Sequence, residues 1–302
     1  MRKLPLTTLA VTATLTTAAA LADQIAATYD SPQDALEAMI GALEAPHPAQ
    51  ALLQVFGDDA IDLLSTGNPE RDAENGAQIR ALLAQGYRFR ADAPEQVTVL
   101  FGADGWPFPI PIARGDAGWA FDIPAGRDEV YFRRIGENEL HVIDVMTAYV
   151  AIQSAYRQAD HDGDGVLEFA RSILSDPGRH DGLFWNLEDS PFGERIALAA
   201  LDGVNVDGTD QGPEPYGGYY YRILDGQGAD APGGAMSYLI NDNMLGGHAF
   251  LAVPSDYGTT GIHSFMVAEN GVVLEADLGE DSLSLAFDMR LYDPGAIWSP
   301  VD

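Results

Sequence analysis

The residues with the clearest chemical meaning form a short acidic run, DHDGDG, at positions 160–165. Asp160, Asp162 and Asp164 alternate along it, and Glu168 stands eight residues after Asp160. Calcium in proteins takes six to eight oxygen ligands, and short loops of this spacing fold their carboxylates towards one ion. The glycine at the end of the run permits the sharp turn that such a loop requires. The spacing therefore predicts a calcium site whose ligands are these four carboxylates.

The match to a full EF-hand loop fails at the twelfth position, which is Arg171 instead of a bidentate glutamate. The predicted site is therefore a truncated variant, with a weak Kd of about 10⁻⁴–10⁻³ M, as in extracellular modules. A second interpretation is an acidic turn between two helices, in which Asp164 caps the second helix. Neighbouring carboxylates repel one another unless a cation screens them, and this repulsion favours the calcium interpretation.

Helices are predicted on both sides of the acidic loop. The stretch from Glu137 to Phe169 is predicted to be a long helix that ends in the loop. Its apolar residues fall near helical spacing: Leu140, Ile143, Met146, Val150 and Tyr156. We expect a separate short helix over Arg127–Arg134, broken at Gly136, and a further helix over Leu167–Leu174.

The N-terminal residues 1–22 have the features of a secretory signal peptide. Arg2 and Lys3 form a basic start, residues 4–20 are mildly apolar, and Ala20-Leu21-Ala22 offers a small-residue cleavage site. The apolar run is too short and too rich in threonine to span a bilayer. We therefore expect export to the periplasm or the medium, with no membrane insertion after cleavage.

The charge of the chain restricts its partners. The formal net charge is −30, and Lys3 is the only lysine, so the remaining cationic side chains are arginines. A surface this acidic repels nucleic acid and anionic membranes, and attracts divalent cations and cationic partners. The same charge is also typical of proteins adapted to salty habitats. With no cysteine, the chain holds together without disulfides, and both of its cores depend on packing.

The first part of the mature chain, residues 23–135, reads as an α+β domain. A capped helix is predicted over Ser31–Leu43, shorter helical runs follow, and then an alternating pattern predicts strands. The predicted strands are Tyr87–Arg90, Gln96–Phe101, Trp106–Ala113 and Trp119–Ile123. The stretches SPQDALEAMIGALEA, VTVLFG and PIPIARGDAGWAFDI resemble a nuclear transport factor 2-like cone. This resemblance implies a curved antiparallel sheet wrapped over a helix, around a pocket.

The second part, residues 136–302, reads as another α+β domain. It has the long helix, a helix from Ser190 to Leu201, a Gly/Asp/Pro-rich loop over Asp202–Gly218, and then strands. The predicted strands are Tyr219–Leu224, His248–Val253, Gly261–Ala268 and Val272–Ala276. The stretches ENELHVIDVMTAYVAIQSAY, YYYRIL and AFLAVPSDYGTTGIHSFMVAENGVVLEAD resemble the globular part of type IV pilin-like proteins. This resemblance implies one long helix packed across an antiparallel sheet.

Asn270-Gly271 is the strongest hairpin signal in the chain. Pairing Glu269 with Val272 across this turn puts His263, Phe265 and Val267 on the same face as Leu274 and Ala276. His263 is then expected to be a core histidine, and His248 is expected to be one as well, because it shares a face with Phe250.

As a whole, residues 31–300 are identified as a member of the bacterial family named domain of unknown function 2950. The segments that carry this resemblance are WPFPIPI, RRIGENEL, AYVAIQSAY, DGDGVLEFA, GRHDGL, PYGGYYYRIL, APGGA and GVVLEADLG. The resemblance implies a fold and an export route, but no assigned activity. Members of the family usually carry histidine where this chain has Gly217, which weakens any catalytic interpretation of the neighbouring tyrosine-rich strand.

Two classes of function follow from these residues. The first is a non-enzymatic binding or assembly protein of the cell envelope, with an envelope protein or a small ligand as its partner and a weak structural calcium site. The second is an envelope hydrolase or isomerase with a site between the two domains. That site would use His180, Asp181 and the Tyr216–Tyr221 cluster. No serine stands in a nucleophile-elbow setting, so the first class is favoured and no catalytic residue is assigned.

Overall fold

The computed structural model describes residues 26–65, 67–185, 190–201 and 213–301. These residues form helices and mostly antiparallel sheets, as expected for an α+β protein. The chain divides into two compact units, one ending at Glu129 and the other beginning at Val130. The predicted signal peptide, residues 1–22, and the greater part of the loop predicted from Asp202 lie outside the described residues.

The N-terminal unit begins with helices. Their bounds are α1 Pro32–Glu44, α2 Pro48–Phe56, α3 Ile61–Leu64 and α4 Pro69–Ala84, with a 3₁₀ turn over Asp58–Ala60. At the start of α1 the Ser31 hydroxyl accepts a bond from the Asp34 N–H (3.2 Å) and donates to the Asp34 carboxylate (2.6 Å). The first bond satisfies a backbone N–H that a helix start leaves unpaired, and the second joins the two side chains, so the predicted cap is confirmed.

Five strands of the N-terminal unit make one antiparallel sheet. They are β1 Tyr87–Ala93, β2 Gln96–Phe101, β3 Trp106–Pro107, β4 Ile112–Gly115 and β5 Gly118–Phe121. The order is β1-β2-β4-β5, and β3 pairs with β2. The single strand predicted over Trp106–Ala113 is wrong, because the segment divides into β3 and β4. Its three prolines supply no N–H groups for a continuous ladder.

Helix α5 runs without a break from Ile123 to Tyr156. The predicted break at Gly136 and the predicted helix start near Glu137 are therefore wrong. A Cβ at Gly136 would meet no atom within 4 Å, so this glycine is not needed for close packing. A glycine inside a helix costs only about 1 kcal/mol, and the rest of a 34-residue helix outweighs it.

The C-terminal unit contains the remaining elements. They are β6 Ser172–Leu174, β7 Gly182–Phe184, α6 Glu194–Leu198, β8 Tyr219–Leu224, β9 Gly226–Gln227, β10 Met236–Ser237, β11 Leu239–Ile240, β12 Asn243–Met244, β13 Ala249–Pro254, β14 His263–Ala268, β15 Val273–Asp277, α7 Ser282–Asp288, β16 Leu291–Tyr292 and β17 Ser299–Pro300. The main sheet is antiparallel, in the order β17-β15-β14-β13-β8. Small pairs and triplets, β6-β7, β11-β12 and β10-β9-β16, lie outside it.

The C-terminal half of α5 packs on this sheet. The Tyr149 ring stacks on Phe250 of β13, with 4.2 Å between the ring centroids. Its hydroxyl donates to the carbonyl of Ala249 (3.2 Å). Val142, Val145 and Met146 belong to the same buried core. One long helix thus covers an antiparallel sheet within this unit.

Two predictions about local structure in this unit are wrong. The predicted helix over Leu167–Leu174 is absent, and Ser172–Leu174 forms β6, paired in parallel with β7. The helix predicted from Ser190 to Leu201 is shorter, with α6 covering only Glu194–Leu198. Helix propensity does not decide such short runs, because isolated short helices are marginal without packing.

The predicted register of the last hairpin is also wrong, by one residue. Val267 pairs with Val273 and Phe265 with Glu275, whereas the predicted register pairs them with Leu274 and Ala276. The Gly271 N–H bonds to the Ala268 carbonyl, and Gly271 has φ +73°. These features define a three-residue loop that closes on a left-handed glycine, whereas the prediction assumed a two-residue turn.

Candidate metal centre

Three of the four predicted ligands come together in the acidic loop that follows α5. The carboxylate oxygens of Asp160, Asp162 and Asp164 lie within 4.8 Å of one another, and all three residues are exposed. Asp160 accepts the N–H groups of Gly163 (2.7 Å) and Gly165 (2.9 Å). These two bonds lower the pKa of Asp160, because they stabilise its ionised form. The loop thus brings one carboxylate oxygen from each of three aspartates close together.

The far side of the loop is fixed to strand β12. Asp164 accepts the N–H of Val166 (2.7 Å) and the side-chain amide of Asn243 (2.7 Å). Glu168 accepts the N–H of Met244 (2.7 Å), and the Phe169 N–H donates to the Met244 carbonyl (3.0 Å). Because Met244 is fully buried, the end of the loop is anchored in the core of the C-terminal unit.

Glu168, the fourth predicted ligand, lies outside the set of oxygens within 4.8 Å. Its burial raises its pKa, the nearby charges of Asp162 and Asp164 raise it further, and the Met244 N–H partly offsets both. The ionised form of Glu168 is therefore disfavoured in its present surroundings. A dication among these carboxylates would relieve the repulsion between them.

The structure also decides against one interpretation of this loop. A capping role for Asp164 requires a second helix directly after the loop, and residues 167–174 contain none. Asp164 accepts instead from the N–H two residues further on, as aspartates do in tight turns. What remains is a turn with three clustered carboxylates and one fixed end.

Aromatic rings hold the loop at its start. The His161 ring stacks on Tyr156, the last residue of α5, with 3.9 Å between the ring centroids, and a His161 ring nitrogen lies 3.0 Å from the Tyr156 carbonyl. Trp185 packs against His161 at 5.9 Å and stacks on His180 at 4.5 Å. The Tyr156 hydroxyl donates to the His180 carbonyl (2.8 Å). His180 thus takes part in this aromatic stack.

The other residues of the alternative enzyme site also have structural partners. Asp181 accepts the N–H of Asp176 (2.8 Å) and pairs with Arg179 (3.4 Å). Tyr219 donates its hydroxyl to the His263 carbonyl (2.9 Å), and Tyr221 donates to the Tyr216 carbonyl (3.2 Å). Burial raises the pKa of Tyr219 and of Tyr221, so both stay protonated as donors.

One contact was not predicted from the sequence. Glu139 of α5 accepts the N–H groups of Ile262 and His263 (both 2.9 Å), and its second oxygen lies 3.3 Å from a His263 ring nitrogen. The His263 side chain is 36% exposed, so the expected core histidine is wrong. The two residues are 124 positions apart, so no local pattern in the sequence predicts their contact.

His248, in contrast, is fully buried, as expected. It packs against Tyr149 and Phe169 with 5.2 and 4.6 Å between ring centroids. Among the described residues, neither of its ring nitrogens has a hydrogen-bond partner. Burial lowers its pKa to about 4, with a contribution from Arg157, so the ring is neutral at pH 7.

A polar cleft of about 720 Å³ lies beside the acidic loop, within the C-terminal unit. Asp162 and Glu168 of the loop line it together with Arg171, Arg179 and Arg290. No local sequence pattern predicts this cleft, since its lining comes from several separate segments. Arg171 occupies the position where a full EF-hand loop has its bidentate glutamate.

The comparisons with known proteins identify a family. The family model described as "Protein of unknown function (DUF2950)" matches residues 26–301. No curated protein and no solved structure matches the chain. Within the part of the chain that the structure describes, every helix is too short or too polar to cross a membrane.

Proposed function

The chain belongs to the family of proteins of unknown function DUF2950, and from that premise we propose an exported, non-enzymatic binding or assembly protein of the cell envelope. Its C-terminal unit carries a weak structural calcium site. The main support for this site is that carboxylate oxygens of Asp160, Asp162 and Asp164 lie within 4.8 Å of one another. The loop that carries them is hydrogen-bonded to β12.

Calcium suits this loop better than a smaller ion. Its ligands here are carboxylate oxygens on an exposed loop, and calcium accepts irregular geometry at about 2.3–2.6 Å. Magnesium requires near-ideal octahedral geometry and keeps most of its water. Glu168 completes the site when its carboxylate turns towards the ion, which would also offset the charge repulsion that adds to burial in raising its pKa.

Export and an envelope location are supported by the chain itself. The basic and apolar start of the sequence favours secretion, and a net charge of −30 suits a compartment outside the cytoplasm in which calcium is abundant. The periplasm or the medium is the proposed location.

Each unit has features of the fold that its residues resemble. In the N-terminal unit, helices precede an antiparallel sheet of five strands, which supports the nuclear transport factor 2-like cone. In the C-terminal unit, α5 packs on a five-stranded antiparallel sheet, which supports the pilin-like architecture. Both architectures suit binding or docking and require no catalytic group. The hydrolase or isomerase alternative stays a prediction.

The calcium site is tested by thermal unfolding with millimolar calcium. We expect calcium to raise the Tm of the wild type, and to raise much less that of the double variant Asp160→Asn/Asp162→Asn. The matched control is Asp104→Asn/Asp116→Asn, which removes two exposed aspartates from turns of the N-terminal unit. An equal response of all three proteins would show that calcium only screens the net charge.

A further inference from the structure

The cleft beside the acidic loop has the size of a ligand site. Its volume of about 720 Å³ falls within the roughly 300–1,000 Å³ that small-molecule sites occupy. Ile173, Ala200 and Ile223, all buried, contribute to its lining. The cleft therefore offers apolar surface to a ligand as well as charge.

Arginines are concentrated at this cleft. The whole chain has 16 basic residues against 46 acidic ones, and Arg171, Arg179 and Arg290 all line the same cavity. Arginine binds a carboxylate through two parallel N–H bonds, which gives both strength and orientation. Arg179 already pairs with Asp181, whereas Arg171 is exposed at the edge of the acidic loop.

Carboxylates outnumber the arginines in the lining. Six of them line the cleft: Asp162, Glu168, Asp176, Asp181, Asp225 and Asp242. Against three arginines this gives a formal charge of −3, which opposes entry of a simple anion. A simple cation, in turn, would leave the arginines without a new partner. A ligand that carries both charges meets a counter-charge at each end.

We propose that this cleft binds a short zwitterionic peptide, with the ligand carboxylate on Arg171, its ammonium group among the carboxylates near Asp242, and an apolar side chain against Ile173 and Ile223. This inference rests on the binding role proposed above, and names its ligand class. Asp242 is placed by the tight turn between β11 and β12, where it has φ +69°, so its position is fixed by the backbone.

Four forms of one dipeptide separate the two charges. The probes are Leu-Leu, N-acetyl-Leu-Leu, Leu-Leu amide and N-acetyl-Leu-Leu amide, titrated calorimetrically in the presence of a calcium chelator. We expect Leu-Leu to bind roughly tenfold more tightly than either singly blocked form, because each block removes a charge-assisted hydrogen bond. Equal binding of N-acetyl-Leu-Leu and Leu-Leu would overturn the proposal, and so would no binding of Leu-Leu at millimolar concentration.

Two variants assign the ends of the ligand. Arg171→Gln should weaken Leu-Leu binding about fivefold and leave binding of Leu-Leu amide unaffected. This effect is smaller than that of blocking the ligand carboxylate, because glutamine can still donate one hydrogen bond. Asparagine tolerates the positive φ of position 242, so Asp242→Asn keeps the backbone of the turn. This variant should weaken binding of Leu-Leu and leave binding of N-acetyl-Leu-Leu unaffected. Arg114→Gln in β4 is the matched control and should change neither. The opposite pattern, or no effect of the two cleft variants, would overturn the assignment.

Failure of this inference is distinguishable from failure of the calcium site. Calcium titration without peptide tests the ion site, and peptide titration with chelator tests the cleft in the absence of the ion, since Asp162 and Glu168 border both. A calcium response without peptide binding overturns the cleft proposal only, whereas peptide binding without a calcium response supports it and removes the calcium site.

Discussion

The two units of this chain both pack aromatic rings, but they differ in the polar groups that they bury. In the N-terminal unit, Phe56, Phe101, Phe108 and Phe121 pack in one cluster, with 4.5–6.2 Å between neighbouring ring centroids. Its buried polar residue, Thr98, bonds to Asp92 (2.5 Å). The C-terminal unit instead buries Arg222, His248, Ser264 and Ser282 among its apolar residues.

This difference indicates which unit has a stability that depends on protons and cations. Packed aromatic rings gain free energy that does not depend on protons or ions. Buried ionisable groups and clustered carboxylates gain or lose free energy when protons or cations bind. We therefore expect pH and calcium to change the stability of the C-terminal unit. Substitutions that change the volume of a buried side chain should destabilise either unit.

The largest effect should come from the buried arginine. Arg222 is 2% exposed and donates to the carbonyls of Ala286 and Phe287 near the end of α7, the latter at 2.9 Å. Arg222→Ala removes these bonds and leaves a cavity, so we expect a loss of about 3–5 kcal/mol in the free energy of unfolding. Denaturant unfolding followed by circular dichroism measures it.

Phe101→Ala in β2 is the matched substitution in the other unit, and should cost a similar amount through cavity formation alone. Arg222→Met sharpens the comparison, because it keeps most of the volume and removes the hydrogen bonds. If Arg222→Met matched the wild type, the arginine would contribute packing only, and the two cores would not differ in the way described.

The next effect concerns pH and His248. Its pKa is about 4 in the folded protein and about 6.5 when unfolded, so the unfolded chain binds more protons between these values. The stability linked to the neutral ring is complete above pH 6.5 and falls by about 3 kcal/mol as the pH drops through this window. Unfolding free energies measured from pH 7 to pH 4 report the loss.

His248→Leu provides the comparison that isolates this ring. The leucine fits an apolar space between Tyr149 and Phe169 and has no proton to gain, so the variant should lose less stability than the wild type between pH 6.5 and pH 4. His47→Leu, at an exposed position before α2, serves as the control and should follow the wild type. Parallel pH curves for all three proteins would contradict the role given to His248.

The features that could be predicted from sequence are those set by neighbouring residues. Ser31 and Asp34 cap α1 within one turn, and the β8 bounds follow from the tyrosine-rich run itself. The clustering of Asp160, Asp162 and Asp164 likewise follows from a spacing of two residues and a turn glycine. These parts need no knowledge of the rest of the chain.

What could not be predicted depends on distant partners. The continuity of α5 through Gly136 depends on packing that outweighs a local break signal. The hairpin at Asn270-Gly271 was recognised, but its loop length was not, since both turn types use the same residues. The Glu139–His263 contact and the cleft join segments far apart in sequence, and no local pattern specifies them.

The most direct test of the account is hydrogen exchange followed by mass spectrometry, with and without millimolar calcium. Calcium in the acidic loop should slow exchange at residues 160–169 and in β12, which Asp164 and Glu168 tie to that loop. Exchange in β1 to β5 of the N-terminal unit should stay unchanged. Equal slowing in both units, or no change at residues 160–169, would contradict a calcium site in the C-terminal unit.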